Sequence, residues 1–166
     1  MYKKGEYIVY ASKGVCRITD ITELDMMGNR IFRKYYILTP FCDENATLYL
    51  PIDNEKVTVR RVISSEEAQA LIEEIPDIPS FSVSDERKRE VEYKEAVKLC
   101  DCRVLISMMK ALLNRKEGRL AIGKKVTALD EKYLKLAEQE LLSELAVVLA
   151  VPVEDLKESI FAKLLI

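Results

Sequence analysis

The residues best suited to chemistry in this chain are its thiols. Cys16, Cys42, Cys100 and Cys102 are the four cysteines, and there is no histidine. Histidine is the commonest general base near neutral pH and the commonest metal ligand, so acid–base work would fall to a carboxylate, a lysine or a cysteine. Only Cys100 and Cys102 lie close, as C-x-C, and no second pair completes a four-ligand zinc site. A C-x-C pair at a helix start can serve as a redox thiol. Free cysteines are more often small buried hydrophobes. The expectation is a protein that is not an enzyme, needs no cofactor or metal, and takes no small-molecule substrate.

Other residues are suited to binding. Tyr35–Leu38 and Leu48–Asn54 read as two strands, because aromatic and aliphatic side chains fill them. The intervening Thr39-Pro40-Phe41-Cys42-Asp43-Glu44-Asn45-Ala46 has a proline and polar turn formers. Pro51 has no backbone N–H to donate, so it belongs at an edge, a bulge or a strand end. An open edge carries unpaired backbone groups that can accept a strand from another chain. The plainer alternative is a small barrel whose edge is merely covered.

Charge offers a second binding feature. The whole chain has 26 Lys and Arg against 28 Asp and Glu, a net of −2, which gives no global signal for nucleic acid. Residues 1–63 are at +2 and residues 64–166 at −4, but residues 87–125 hold twelve basic groups and five acids. Helices that fold these cations onto one face would meet phosphates and release counterions. The competing reading is a set of solvated helix faces with pairs such as Glu90–Lys94.

The elements that position these residues follow from pattern. The 166 residues are 49% hydrophobic, enough for one or two small cores. The N-terminus opens into charged residues and strand pattern, unlike a signal peptide, and no apolar run approaches a membrane span. An intracellular, reduced, soluble protein is expected, with no membrane partner. Strands are expected at Tyr7–Tyr10 and Val15–Ile21, then a turn over Met26-Met27-Gly28-Asn29-Arg30, the two strands above, and Val57–Val62. Five short strands in about 60 residues suggest a small barrel.

The period then changes to helical. Ser64 and Glu67 form a capping box for a helix that Pro76 ends, and residues 75–82 read as an extended linker. Ser84 or Asp85 caps a second helix to about Leu99, with Val91, Ala96, Val97 and Leu99 as its apolar positions. Asp101 caps a third from Cys102 to about Arg115, stopped by Gly118. Thr127 caps a fourth. Pro152 opens a last helix with Leu156, Ile160, Leu164 and Leu165 on one face. The expected fold class is α+β: a small N-terminal β-barrel (1–63), a helix and proline-containing linker (64–82), and an all-helical domain (83–166).

In this order and spacing the chain resembles the CarD/CdnL family of bacterial transcription regulators along nearly its whole length. Lys4-Gly5-Glu6-Tyr7-Ile8-Val9-Tyr10 with Lys13-Gly14-Val15 is similar to the family's opening "GD-x-VVYP-x-x-GVG". Tyr35-Tyr36-Ile37-Leu38 matches "YYVL", Leu50-Pro51-Ile52-Asp53-Asn54 matches "VP-x-(D/E)N", and Val57–Val62 matches "VGLR-x-V". Leu134-x-x-Ala137 and Glu144-Leu145-Ala146 follow the "L-x-x-A" and "ELA" of the helical half. The N-terminal module is shared with the transcription-repair coupling factor, whose motors need a phosphate-binding loop that this sequence lacks.

The resemblance implies a Tudor/SH3-like barrel that binds the RNA polymerase β subunit, and a helical domain that touches promoter DNA at the upstream edge of the melted bubble. Tyr49 and Pro51, with Leu38 and Leu48, are the implied polymerase-binding residues. The family's tryptophan wedge near the start of the second helix falls at about Lys88 or Arg89, and the chain has no tryptophan. The basic pair that follows falls near Glu90, Val91 and Glu92, and the usual "SGD" is Cys100-Asp101-Cys102. A cation can bind phosphate or enter a narrow minor groove, but it cannot wedge a base step as an indole does. The expected DNA contact is weak and salt-dependent, through Arg87, Lys88, Arg89, Lys94, Lys124 and Lys125. The implied function is modulation of open-complex stability by a cytoplasmic, nucleoid-associated protein. The alternative is a module that docks on polymerase without binding DNA.

Overall fold

The computed structural model describes residues 1–165. The final residue of the expected helical domain, Ile166, lies outside the described residues. Five strands, β1 (Tyr7–Tyr10), β2 (Gly14–Leu24), β3 (Arg33–Pro40), β4 (Leu48–Pro51) and β5 (Val59–Arg61), form one sheet in the order β4-β3-β2-β1-β5. Every neighbouring pair is antiparallel. β2 runs longer than its alternation suggested, because a register shift between Ile18 and Asp20 absorbs the imperfect repeat. β4 is shorter than expected and stops at Pro51.

The sheet does not close into the expected barrel, since β4 and β5 are both edges. Asn54 shapes the turn that connects them: its side-chain oxygen accepts from the Lys56 and Val57 N–H groups, and its amide donates to the Val57 carbonyl. The N-terminus fills the space instead. The Tyr2 N–H donates to the Tyr36 hydroxyl at 3.0 Å, the two rings meet edge to face, and the Arg61 guanidinium lies 5.4 Å from the Tyr2 ring centre.

Alternation sorts the strand residues between two cores. Ile8, Cys16, Ile18, Tyr36, Leu38 and Leu50 pack inside the curved sheet. Val9, Ala11 and Val15, on the opposite face, pack against Cys100 and Val147 from the helical half. The sheet therefore has one face for its own core and one that seats the helices.

The helical half comprises α1 (Ser65–Glu74), α2 (Arg89–Lys98), α3 (Cys102–Ala121), α4 (Ala128–Leu149) and α5 (Val153–Leu164). The capping box at Ser64 and Glu67 is formed, and Asp101 and Thr127 cap α3 and α4 through the Arg103 and Asp130 N–H groups. The segment expected to link two domains is built into the helical core. Ala68, Leu71, Ile75 and Ile78 pack with α3, α4 and α5. Pro76 is the second residue of a 3-10 turn at Ile75–Asp77 where an extended chain was expected, because proline's missing N–H is tolerated within a first turn. Buried Lys110 of α3 secures this stretch by donating to the Pro76 and Ile78 carbonyls at 3.2 and 2.6 Å.

Four expectations about the helices change. Asp85 caps a 3-10 turn, Glu86–Lys88, so α2 begins only at Arg89. The side chain α2 buries most fully is Tyr93, whose ring packs at a tilt against Phe81 and Tyr133, while Val91 and Leu99 are exposed. α3 runs through Gly118 to Ala121. A mid-helix glycine costs only about 1 kcal/mol, and the buried row Leu105, Met109, Leu112 and Leu113 outweighs it. Gly123, at φ +74, makes the turn that ends the helix. On α5, Ile160 and Leu164 are buried as expected, but Leu165 is exposed. No helix among the described residues is long and apolar enough to cross a membrane.

Candidate functional site

β4 is the open edge of the sheet. Leu48, Tyr49, Leu50 and Pro51 lie opposite Leu38, Ile37, Tyr36 and Tyr35 of β3. The Ile52 N–H donates to the Lys34 carbonyl at 3.1 Å, which fixes the phase of the ladder. In an antiparallel pair, hydrogen-bonded and non-hydrogen-bonded positions alternate. Leu48 and Leu50 therefore bond to β3, whereas the backbone groups of Tyr49 and Pro51 point away from it. Pro51 loses no ladder bond by lacking an N–H, which is why it is tolerated there. The Tyr49 N–H and C=O face the open side, and its side chain is 46% exposed.

Of the four residues expected to bind polymerase, Tyr49 and Pro51 share the outer face. Leu48 is half-buried and turned toward the sheet core. Leu38 is a correction: it is 0% exposed inside that core, so it supports the edge from within and offers a partner no surface. Tyr35 and Ile37, the cross-strand neighbours of Pro51 and Tyr49, lie on the same face, with Tyr35 itself buried; they were read as strand residues but not among the polymerase-binding ones.

Residues 2–63 match the family model described as the CarD-like/TRCF RID domain. The likeness is confined to this N-terminal stretch. The family's RID domain is an RNA polymerase-interacting, transcription-related module and is not a known enzyme family. The match covers the whole sheet and ends where α1 begins. No curated protein matches the chain.

The helical domain that follows brings several of its cations to one end. Glu86 pairs with Arg89 at 3.3 Å and with Arg115 at 3.6 Å. Asp130, at the start of α4 and almost fully buried, pairs with Arg89 at 3.2 Å and Arg115 at 3.0 Å. This network ties together the start of α2, the last turns of α3 and the start of α4. Burial pushes the Arg115 guanidinium down, but its hydrogen bond and charge interaction with Asp130 prevail and raise it. The Arg119 guanidinium donates to the Lys125 carbonyl at 2.7 Å, which fixes the following turn at the same end.

The DNA candidates are thus placed unequally. Arg87, Lys88, Lys124 and Lys125 are exposed at this end of the domain. Arg89 is a correction: its side chain is only 14% exposed and its charge is matched inside the protein by Asp130 and Glu86. Lys94 is exposed but stands apart on α2, roughly 9 Å from Lys88 at 1.5 Å of rise per residue. Leu120 and Ile122 are exposed beside Lys124 in the same turn and were missed, because the helix was expected to stop earlier.

A polar cluster joins the RID domain to the helices. Arg60 of β5 grips Glu144 of α4 with two bonds of 2.8 and 2.7 Å and donates a third to the Cys100 carbonyl at 2.6 Å. Burial lowers the Arg60 guanidinium, but the hydrogen bonds and charge of Glu144 outweigh it and raise it overall. One helical turn away, burial pushes the Glu140 carboxyl up to about 7, against the charge of Arg60 and with that of Glu144. One Glu140 oxygen has no hydrogen-bond partner. Gly14 packs on this side chain; a Cβ there would sit 3.4 Å from the Glu140 Cγ, and Gly14 itself has φ +74. Cys42 lies 3.1 Å from the Ser143 hydroxyl on the same interface.

Three of the four thiols, Cys16, Cys100 and Cys102, are buried. Burial, helped by the nearby Glu140, pushes Cys100 up to about 11; burial and Glu144 push Cys102 up to about 12. Burial pushes Cys16 up to about 12 as well. A thiol so raised stays protonated at neutral pH and is a poor nucleophile. Among the described residues no group of three or more His, Cys, Asp or Glu is arranged to hold a metal ion.

Proposed function

We propose that this protein is a bacterial transcription regulator that docks on the RNA polymerase β subunit through the β4 edge of its RID domain. The docked RID domain then holds the cationic end of the helical domain over promoter DNA. The observation that carries this reading is the open backbone of Tyr49, flanked by an exposed aromatic ring and by a proline that lacks an N–H, in a domain whose family partner is polymerase. Strand addition supplies main-chain bonds and Tyr49 supplies an aromatic anchor. Arg60 and Glu144 hold the helical domain against the sheet, so docking through one fixes the position of the other. Tethering raises the local concentration of the cations, and weak phosphate contacts by Arg87, Lys88, Lys124 and Lys125 then suffice. A protein that binds the open complex more tightly than the closed one lengthens its lifetime by that differential affinity.

The test compares binding to RNA polymerase alone with binding to a polymerase–promoter open complex, at two salt concentrations. The expected result is tighter binding to the open complex, with the excess eroded by salt. Equal affinity for both would sink the DNA contact.

A second reading has one observation in its favour. α2 and α3 leave an open groove of ≈ 620 Å³ lined by Ile78, Phe81, Val91, Leu99 and Val104. An apolar groove suits a protein segment better than a phosphate backbone. Under this reading the helices bind another protein, and affinity for the open complex equals that for polymerase alone at both salts.

A further inference from the structure

We propose that the α2–α3 groove is filled by a second copy of this chain, which inserts the tip of its β2–β3 hairpin, so that copies join head to tail. Neither half of that contact depends on the polymerase reading.

The groove exists because α2 carries two apolar faces. Tyr93 and Val97 turn into the helical core. Val91, Glu95 and Leu99 recur every fourth residue and so share another face. Val91 and Leu99 are each more than half exposed. With Ile78, Phe81 and Val104 they line the open groove of ≈ 620 Å³. An amphipathic helix needs only one apolar face for its own core, so the second face is left without a partner within the molecule.

The hairpin tip supplies the matching knob. Within residues 25–32, Met26, Met27, Ile31 and Phe32 are each more than half exposed. Among the described residues none of the four packs into a core. Single exposed hydrophobes are ordinary, but four large ones on one loop tip form an interaction patch. The tip is also preformed. The Asp25 carboxylate accepts from the Asn29 and Arg30 N–H groups at 3.2 and 2.8 Å, and the Asn29 side chain accepts from the Ile31 N–H at 3.0 Å. A preformed loop loses less conformational freedom on binding. The unbranched methionines adapt to an irregular apolar wall.

Charge selects a second copy as the occupant. Arg30, in the middle of the tip, has no ion-pair partner among the described residues. The groove is rimmed by Glu92 and Glu95, and its one cation, Arg103, is already paired with Glu74. Glu95 pairs only with Lys98, three residues on and equally exposed, and such a pair holds a carboxylate weakly. An apolar knob with an unpaired cation thus meets an apolar groove with an acidic rim. Phosphates would be repelled by the same rim.

Knob and groove are different surfaces, so the contact is heterologous. Each end of the assembly keeps one free knob or one free groove. A single loop tip in one groove buries less than about 1,200 Å², which is the range of weak and transient contacts. Association is therefore expected at high protein concentration.

The test is sedimentation velocity over a concentration series with the purified full chain, a knob variant (Met27→Ser/Phe32→Ser) and a groove variant (Val91→Ser/Leu99→Ser). All four side chains are exposed, so both variants keep the fold, which unfolding midpoints check. The expected result is a sedimentation coefficient that rises with concentration for the unaltered protein only. Each variant alone stays monomeric. An equal mixture of the two forms a dimer and stops there, because it offers one intact knob and one intact groove. Arg30→Asp and Glu95→Lys should each weaken association about two- to five-fold, and the variant carrying both should recover it. Failure to recover would remove the charge match and overturn the choice of a second copy. Association of the groove variant alone would make the contact tip to tip and overturn the inference. An unaltered protein that stays monomeric at every concentration would overturn it too. Loss of affinity for the polymerase–promoter complex in the groove variant would then give the groove to that assembly.

Discussion

β4 and β5 are the two edges of one small sheet, four and three residues long, and they are finished in opposite ways. β5 is closed against the helical domain: Arg60 reaches from it to a carboxylate only 2% exposed and to the Cys100 carbonyl between α2 and α3. β4 is left open, with an aromatic ring and unpaired backbone groups facing outward. Edge strands invite unwanted pairing, and proteins usually blunt both. Here one edge is used to join two domains, and the other is blunted only by its shortness and by a single proline. The difference predicts where stability resides and where binding resides, and the two can be separated by substitution.

The largest effect belongs to β5. Arg60→Ala leaves Glu144 buried without its partner, and breaking such a pair costs about 3–5 kcal/mol. Denaturant unfolding should show this loss. A combined Arg60→Met/Glu144→Met variant should recover much of it, since two apolar groups leave no charge stranded. A loss below about 1 kcal/mol for Arg60→Ala would mean that the apolar seat of Val9, Val15 and Val147 holds the domains without the ion pair.

Glu140 sharpens the same interface. Its carboxyl is raised to about 7 by burial, with Arg60, Glu144 and Cys100 as its charged or titratable neighbours. The folded state keeps this proton over a range where the unfolded chain has released it. Stability therefore falls as pH rises from about 4.5 to about 7 and is level above that. A shift of this size corresponds to about 3 kcal/mol at most. Glu140→Gln should be the more stable protein at pH 8, with the advantage gone near pH 4. Melting curves at the two pH values check this, and parallel curves for the two proteins would show that Glu140 is hydrated in solution.

Much of this was legible in the sequence, and the reasons for the rest are physical. Periodicity and caps act within a few residues, so the strands, the Ser64 box and the Asp101 and Thr127 caps could be read directly. Pro51 marked an edge because a missing N–H is a local fact. Closure of a sheet is not local: the α+β class and the five strands were legible, whereas the opening between β4 and β5 was not. The Arg60–Glu144 clasp joins residues 84 positions apart. Its only trace was a pair of carboxylates, Glu140 and Glu144, spaced four apart among Leu141, Leu142 and Leu145. Arg89 looked like its neighbours Arg87 and Lys88 in a run of cations, and only packing against Asp130 set it apart.

The smallest effect on folding, and the sharpest contrast, belongs to Tyr49. Its ring is exposed and its inward neighbours Leu48 and Leu50 carry the packing, so Tyr49→Glu should shift stability by no more than about 0.5 kcal/mol. Its effect on binding should be far larger. An aromatic anchor at an interface centre contributes about 2 kcal/mol or more, roughly thirty-fold in affinity, and a carboxylate would also have to be desolvated there. Paired unfolding and polymerase-binding measurements on Tyr49→Glu and Arg60→Ala should then fall on opposite corners: one protein stable and unable to dock, the other destabilised with its open edge intact. If Tyr49→Glu instead unfolded as readily as Arg60→Ala, the β4 edge would be a structural seam like β5, and the division of labour between the two edges would be lost.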